Sequence, residues 1–443
     1  MSHTERPAPN TPSSPAVPKA RWRRTGLVLF LVYFTAFAER ANVSVAAPSI
    51  SEQLHLTGAA TGVILSAFFW GYFITQVPGG WLASRVGPSR IIAGSLLIWG
   101  ITAFAQAWSS SVTPLIVARL VMGLAEGVVW PAFAVLFIRW YPVGERSRAA
   151  GLSLLALPAS SLVMAPSAGW LIQTWSWQTM FVIQGIPAFV LAIVVLLFLR
   201  DSPEQDRRLS DREREFILAN RADPSSGAER RSFAQVLASP VVWACSLVYF
   251  LWLTGFYSFG LWLPTVLKQL SSRGMEAVGW LSVIPFAAAA VAMLLNSRAA
   301  DRSTKSKARF VVPALFVGTV ALLAQHVLPS SLPVQLVCLL VTAIGVYAPF
   351  GPWWAWALQF VPAEQAGPAT GLVNLFGSLG GLVGPIVVGY AADDGSAAGG
   401  LYILGFFLLA SALVALGIER FARKPAPALL PTEPRGVSSL GRS

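Results

Sequence analysis

Thr25-Gly-Leu-Val-Leu-Phe-Leu-Val-Tyr33-Phe-Thr-Ala-Phe-Ala-Glu39-Arg40-Ala-Asn-Val-Ser-Val-Ala-Ala-Pro48 is apolar on every face apart from one adjacent pair of charges. At 1.5 Å per residue a helix over 25–48 is long enough to cross a hydrocarbon core of about 30 Å. Comparable runs follow at 59–82, 89–108, 114–138, 147–171, 178–199, 240–267, 276–297, 310–327, 333–357, 367–391 and 398–419, so the chain reads as twelve membrane helices. Composition agrees: apolar residues are 55% and charged residues 12% of the 443, against about 25% charged in a soluble domain. Upstream of 25–48, Lys19, Arg21, Arg23 and Arg24 have the charge of a signal peptide's leading region. The run after them is too long for a cleaved signal and has no cleavage site, so it is kept as the first span.

A formal charge of +12 raises nucleic-acid binding, and the placement of the charges answers it. With a cytoplasmic N-terminus, 28 of the 32 basic residues fall in the N-tail, the even-numbered loops and the C-tail, and only Lys268 and Arg273 fall outside. This is the asymmetry of an inner-membrane protein with both termini cytoplasmic, and no nucleic-acid partner is expected. The remaining two, Arg40 and Arg119, lie inside spans. Cys245 and Cys338 sit in different apolar runs, and His3, His55 and His326 are scattered, so neither a disulfide framework nor a metal site is expected.

The polar stretch Arg200–Ser239 holds eight basic and eight acidic residues and divides the spans six and six. Within it Leu209-Ser-Asp-Arg-Glu-Arg-Glu-Phe216 reads as a short surface helix. The expected organisation is a cytoplasmic tail 1–24, a six-helix bundle 25–199, a cytoplasmic central loop 200–239, a second six-helix bundle 240–419 and a cytoplasmic tail 420–443. The halves echo each other, as they do in repeat-built secondary transporters. Trp140-Tyr-Pro142 precedes Gly151 as Phe360-Val-Pro362 precedes Gly371, and Gly80-Trp-Leu-Ala-Ser-Arg85-Val-Gly87 after span two corresponds to Ser297-Arg298-Ala-Ala-Asp301-Arg302 after span eight.

These motifs resemble the major facilitator superfamily over 25–420, which implies an all-α membrane protein of two pseudo-symmetric six-helix bundles. The Gly80–Gly87 segment resembles the family's Gly-x-Leu-x-Asp-Arg-x-Gly loop signature, with Ser84 where the aspartate belongs, which puts the closure contact of the N-terminal half in doubt. Asp301 keeps the acid in the second half. A plainer role for Arg85, Arg90 and Arg298 is to anchor loops to anionic lipid. Glu39-Arg40 through Pro48, Ser66-Ala-Phe-Phe-Trp-Gly-Tyr72 with Gln76-Val-Pro78, and Arg119 to Pro131 resemble the anion:cation symporter branch, which carries sugar acids, tartrate and phthalate-like acids. Members usually have Asp-Arg where this chain has Glu39-Arg40.

A charge at mid-bilayer costs roughly 2.5–3.5 kcal/mol on insertion scales, so Glu39, Arg40, Arg119 and Glu126 need partners or a wet cavity. Counting depth from the helix ends puts Glu39, Arg40 and Arg119 at similar height, which leads to the expectation that Arg119 is the charge partner of Glu39 and that Arg40 is the ligand of a substrate carboxylate. Arginine's planar fork suits a carboxylate, and lysine would replace it poorly. Glu126, then Glu39, are the candidates for the coupling proton, because burial disfavours the charged form of a carboxyl group; the resemblance implies the same roles. A purely structural set of salt bridges is the competing reading, and buried ion pairs gain little stability over apolar packing. Further pocket candidates are Tyr33, Tyr72, Gln76, Tyr257, Trp353, Trp354, Trp356 and Asn374, although aromatics also serve interfaces and ordinary packing. Sugar-acid carriers of the branch have a glutamine in helix five where this chain offers Leu157, which favours a less hydroxylated and more aromatic acid.

The expected function is proton-coupled symport of a small organic carboxylate by alternating access, with the lipid bilayer as its setting, no cofactor, and a monomeric chain. A proton-antiport exporter of drugs or metabolites is the alternative, disfavoured by a cationic pocket. A membrane sensor lacks an output domain, and no nucleophile with its base or phosphate-binding glycine loop suggests an enzyme.

Overall fold

The computed structural model describes residues 19–221, 235–362, 365–392 and 397–422. Residues 1–18 and 423–443 of the two tails, and 222–234 of the central loop, lie outside the described residues. Among the described residues every regular element is a helix, as expected where hydrocarbon obliges each backbone polar group to bond within its own segment.

Twelve helices among the described residues are long and apolar enough to cross a membrane. They are α1 (Trp22–Leu54), α2 (Gly58–Val86), α3 (Pro88–Ala107), α4 (Val112–Trp140), α5 (Arg148–Thr174), α6 (Trp177–Phe198), α7 (Pro240–Ser271), α8 (Met275–Arg302), α9 (Ala308–Val327), α10 (Leu332–Phe360), α11 (Ala366–Ala392) and α12 (Ala397–Phe421). Side-chain caps start two of them: Thr57 accepts the Ala60 N–H at 3.1 Å at the head of α2, and Ser176 accepts the Thr179 N–H at 3.1 Å at the head of α6.

Two features differ from the sequence expectation. The signature residues expected in loops after spans two and eight lie on the final turns of helices: Gly80 and Arg85 within α2, Asp301 and Arg302 within α8. Hydropathy marks the width of the hydrocarbon, whereas a helix continues until a residue such as Gly87, at φ +103°, turns the chain. Helices α4 and α10, expected as continuous spans, are each interrupted. α4 consists of Val112–Glu126 and Val129–Trp140, and α10 of Leu332–Tyr347 and Phe350–Ala357 with a final 3-10 turn. Gly127 sits at the first break and Pro349 at the second, both poor helix formers.

The described residues group into two compact units, the first bounded by Met1–Pro224, Gly260–Ala287 and Pro385–Gly400, the second by Ser225–Phe259, Ala288–Gly384 and Leu401–Ser443. The first therefore contains α1–α6 together with the turn-proximal ends of α7, α8 and α11. In it Gln173 of α5 accepts the Met275 N–H at 2.8 Å, Trp262 of α7 donates to the Pro385 carbonyl at 3.2 Å, and Gln269 accepts the Ala397 N–H at 2.9 Å.

The surface helix of the central loop forms at Asp211–Asn220, capped by Ser210, with Glu213 and Ile217 buried. It is held to the first unit by Arg21, which is buried and pairs with Glu145 at 2.7 Å and Glu213 at 2.9 Å. Burial works against the Arg21 cation, but these two carboxylates prevail and hold its pKa above the ordinary value.

The second unit is rich in aromatic contacts and has its own polar ties. Asn296 of α8 donates to the carbonyls of Phe310 and Ala348 at 2.9 and 2.8 Å, and Trp356 donates to Glu419 at 2.9 Å.

Candidate functional site

All four intramembrane charges lie in the first unit and all are buried: Glu39 is 1% exposed, Arg40 5%, Arg119 0% and Glu126 3%. Arg119 and Glu126 are two turns apart on the first half of α4, which places both on its α1-facing side. Their partners differ from those expected from depth. Arg40 forms an ion pair and hydrogen bond with Glu126. Arg119 donates to the backbone carbonyls of Glu39 at 3.3 Å and Arg40 at 3.4 Å, so it grips the α1 main chain instead of the Glu39 carboxylate. The Glu39 carboxylate accepts from Asn42 at 3.0 Å, one turn further along α1. Height along a helix is countable from sequence; the rotation that chooses between two acids at that height is set by packing.

Arg40 is also enclosed by rings. Its guanidinium carbon lies 4.4 Å from the centroid of Phe37, 4.8 Å from Phe68, 5.1 Å from Tyr72 and 5.8 Å from Phe69. Ring faces stabilise a desolvated cation electrostatically, so they add to the support that Glu126 gives the charge. One oxygen of Glu126 and one of Glu39 have no hydrogen-bond partner among the described residues. These are the free acceptor positions at which a proton can reside without displacing a bond.

Tyr33, half-buried on α1, packs on Trp130 at 5.1 Å and Phe133 at 5.7 Å, extending the aromatic lining from Arg40 to the second half of α4. Tyr72 is 8% exposed and belongs to the Arg40 shell, and Gln76 is half-buried one turn beyond it. The sequence candidates of the second unit fare unequally. Tyr257, Trp354 and Asn374 are half-buried. Trp353 and Trp356 are fully buried, and Trp353 stacks on Tyr249 at 5.1 Å with Trp252 at 5.6 Å, which makes it a core residue of that unit. Phe37 and Asn42 were missed by sequence reasoning; both lie three residues from the charge they support, a helical spacing that could have revealed them.

At the end of α2, Ser84 bonds only its own helix, donating to the Trp81 carbonyl at 2.8 Å among the bonds described, while Arg85 stacks on Trp81 at 4.5 Å. An acid nonetheless reaches this corner from elsewhere: Asp201, beyond α6, accepts the Ser89 N–H at 2.8 Å and lies against Gly87, where a side chain would collide with it. Among the described residues no group of three or more His, Cys, Asp or Glu side chains could hold a metal ion, and Cys245 and Cys338 are free and buried.

With twelve candidate spans among the described residues and a buried charge cluster, the chain matches a known family over most of its length: the family model for the Major Facilitator Superfamily aligns with residues 29–385 and 274–441. The chain belongs to the Major Facilitator Superfamily. Like its relatives in that superfamily it is a multi-pass membrane transporter, and not an enzyme family by descent. A putative tartrate transporter of Agrobacterium vitis is 33% identical over 89% of this chain and 90% of its own length. A quinolone resistance transporter of Acinetobacter baumannii is 28% identical over 86% and 90%. In three dimensions the chain is similar to a bacterial homolog of the human lysosomal transporter Spinster, with a TM-score of 0.76 at 18% identity, covering 92% of this chain and all of that one. This superfamily fold thus places Arg40 and Glu126 on adjacent helices, one from each, in the interior of the first unit.

Proposed function

We propose that this transporter is a proton-coupled symporter of a small organic carboxylate, working by alternating access between two six-helix halves in the inner membrane, with both termini cytoplasmic. The observation that carries the reading is the buried Arg40–Glu126 pair. A substrate carboxylate and the Glu126 carboxylate compete for the same guanidinium, and a proton on Glu126 frees Arg40 for the substrate. Removing one partner of a buried pair costs about 3–5 kcal/mol, or roughly two to three and a half powers of ten in population. The carrier therefore seldom leaves the paired state unless proton and anion arrive together, which is what obligate coupling requires. Arg119, bonded to the α1 main chain, fixes the height of Arg40, and Glu39 is a second proton-accepting group. Tyr33 and Tyr72, beside Arg40 in the first unit, are candidates for substrate contact, and Tyr257 and Asn374 are the half-buried candidates that the second unit offers.

The name of the Agrobacterium relative supports an organic acid as cargo. The rings around Arg40 and Leu157 on α5 favour an acid with few hydroxyl groups and a planar apolar body. The exporter reading draws on the quinolone resistance relative. Purified protein in liposomes, given radiolabelled carboxylates and an inward proton gradient, separates the two. Symport predicts gradient-driven accumulation of one acid, abolished in Glu126→Gln while exchange of that acid across the membrane persists. Expulsion of lipophilic compounds with no acid accumulated would establish export.

A further inference from the structure

The interruption of α4 falls immediately after Glu126. In an unbroken helix the carbonyls of Leu124 and Ala125 would accept the N–H groups of Val128 and Val129. Here two hydroxyls from neighbouring helices occupy them. Thr75 Oγ1 of α2 donates to the Leu124 carbonyl at 2.9 Å, and Ser95 Oγ of α3 donates to the Ala125 carbonyl at 2.7 Å. Ser95 is 3% exposed, so neither water nor solvent motion replaces its bond easily. Gly127 closes the arrangement: a Cβ there would lie 2.5 Å from the Tyr72 carbonyl and closer still to Thr75 Oγ1, so α2 packs directly on the break. In the second unit side chains of two other helices also reach carbonyls at a break, there as N–H donors to carbonyls two residues apart. At the break of α10, Trp252 Nε1 donates to the Val346 carbonyl and Asn296 Nδ2 to the Ala348 carbonyl, both at 2.8 Å.

We propose that Thr75 and Ser95 are positioning residues for Glu126. By taking the two carbonyls that precede it, they fix the bend that Pro131 imposes at Gly127 and so aim the Glu126 carboxylate at Arg40. Without them the Leu124 and Ala125 carbonyls turn to the N–H groups of Val128 and Val129, the bend that Pro131 imposes on Gly127 four residues earlier tightens, and the Glu126 side chain shifts relative to the guanidinium. Hydroxyl-to-carbonyl bonds between membrane helices also occur as plain packing contacts. What singles these out is that they fall on consecutive carbonyls at the break, from two different helices.

This inference rests on the reading of Glu126 as the proton carrier, and the test separates the two. Thr75→Val, Ser95→Ala and the double variant are purified into liposomes beside Glu126→Gln, with Thr75→Ser as the conservative control. Difference infrared spectroscopy identifies the carboxyl band of Glu126 by its loss in Glu126→Gln, and its pH titration is followed in each variant. The expected result is a shift of the Glu126 titration in the double variant corresponding to about a tenfold change in proton affinity. The pH profile of driven uptake should shift with it, and Thr75→Ser should return both to the parent's values. A Glu126 band that titrates alike in the parent and the double variant would overturn the positioning role, whatever happens to thermal stability. Normal driven accumulation by Glu126→Gln would remove the coupling role instead, while a shifted band in the double variant would leave the positioning role standing.

Discussion

Arg40 is a cation with 5% exposure that pairs with the Glu126 carboxylate and lies among the ring faces of Phe37, Phe68 and Tyr72. Only a planar, weakly hydrated cation satisfies both kinds of neighbour, because a guanidinium can bond a carboxylate through its edge while its face lies on an aromatic ring. Arg40→Lys keeps the charge and loses that geometry. Carboxylate uptake by this variant, normalised to protein in the membrane, should fall by at least about tenfold with a raised KM, consistent with loss of a charge-assisted bond of about 1.5–3 kcal/mol; parent-like kinetics would show that Arg40 does not bind the substrate. At this scale the sequence disclosed which four charges lie in the membrane but assigned Arg119 to the wrong group on its neighbour, a carboxylate where the structure has main-chain carbonyls. Hydrogen-bond partners inside a bundle follow from helix rotation, which a single sequence does not encode in its spacing.

Between elements, some helices meet backbone to backbone. A Cβ on Gly62 of α2 would lie 2.5 Å from the Pro385 carbonyl of α11, and one on Gly389 of α11 would lie 2.5 Å from the Gly58 carbonyl of α2. The two helices therefore cross without side chains between them, at the end of the first unit that carries the α1–α2 and α11–α12 connections. Small residues permit such packing in membranes, where van der Waals contact replaces the hydrophobic effect as the attraction between helices. Gly62→Leu should force this crossing apart. A cysteine introduced for Gln173, whose amide now bonds the Met275 N–H at 2.8 Å at the same end, should then react faster with an impermeant maleimide added to the outside of whole cells. Equal labelling with and without Gly62→Leu would show that the crossing does not control access there. The interrupted spans belong to this scale as well: Gly127 and Pro349 stand in the sequence at both breaks, yet hydropathy averages across them and reads one continuous helix.

Across the whole molecule, the N-terminal segment, the α4–α5 connection and the central helix meet at one buried cation. Arg21 bonds Glu145 and Glu213, and Glu213 in turn accepts the backbone N–H groups of Ala20 and Arg21 at 3.2 and 3.1 Å. Arg21→Ala leaves Glu213 buried without its counter-ion, at a cost of about 3 kcal/mol, and should lower the Tm and expose the segment around Asp211–Asn220 to protease; an unaltered digestion pattern would contradict this role. Because the Arg21 pKa is raised in the folded state, its contribution is complete throughout the neutral range and is lost only as pH rises through that value in strong alkali, so this stabilisation should not vary with pH near neutrality. The sequence by itself determined the membrane class, the number of spans and the identity of the buried charges. Each of these depends on composition along the chain: the bilayer imposes a fixed apolar length, and a charge inside that length is conspicuous wherever it points. Tertiary structure alone decided that Arg40 meets Glu126, that Trp353 is core, that Asp201 reaches the corner where Ser84 stands, and that hydroxyls of two other helices bond the carbonyls just before Glu126. These depend on helix rotation and on contacts between distant segments, which are settled only when the side chains pack.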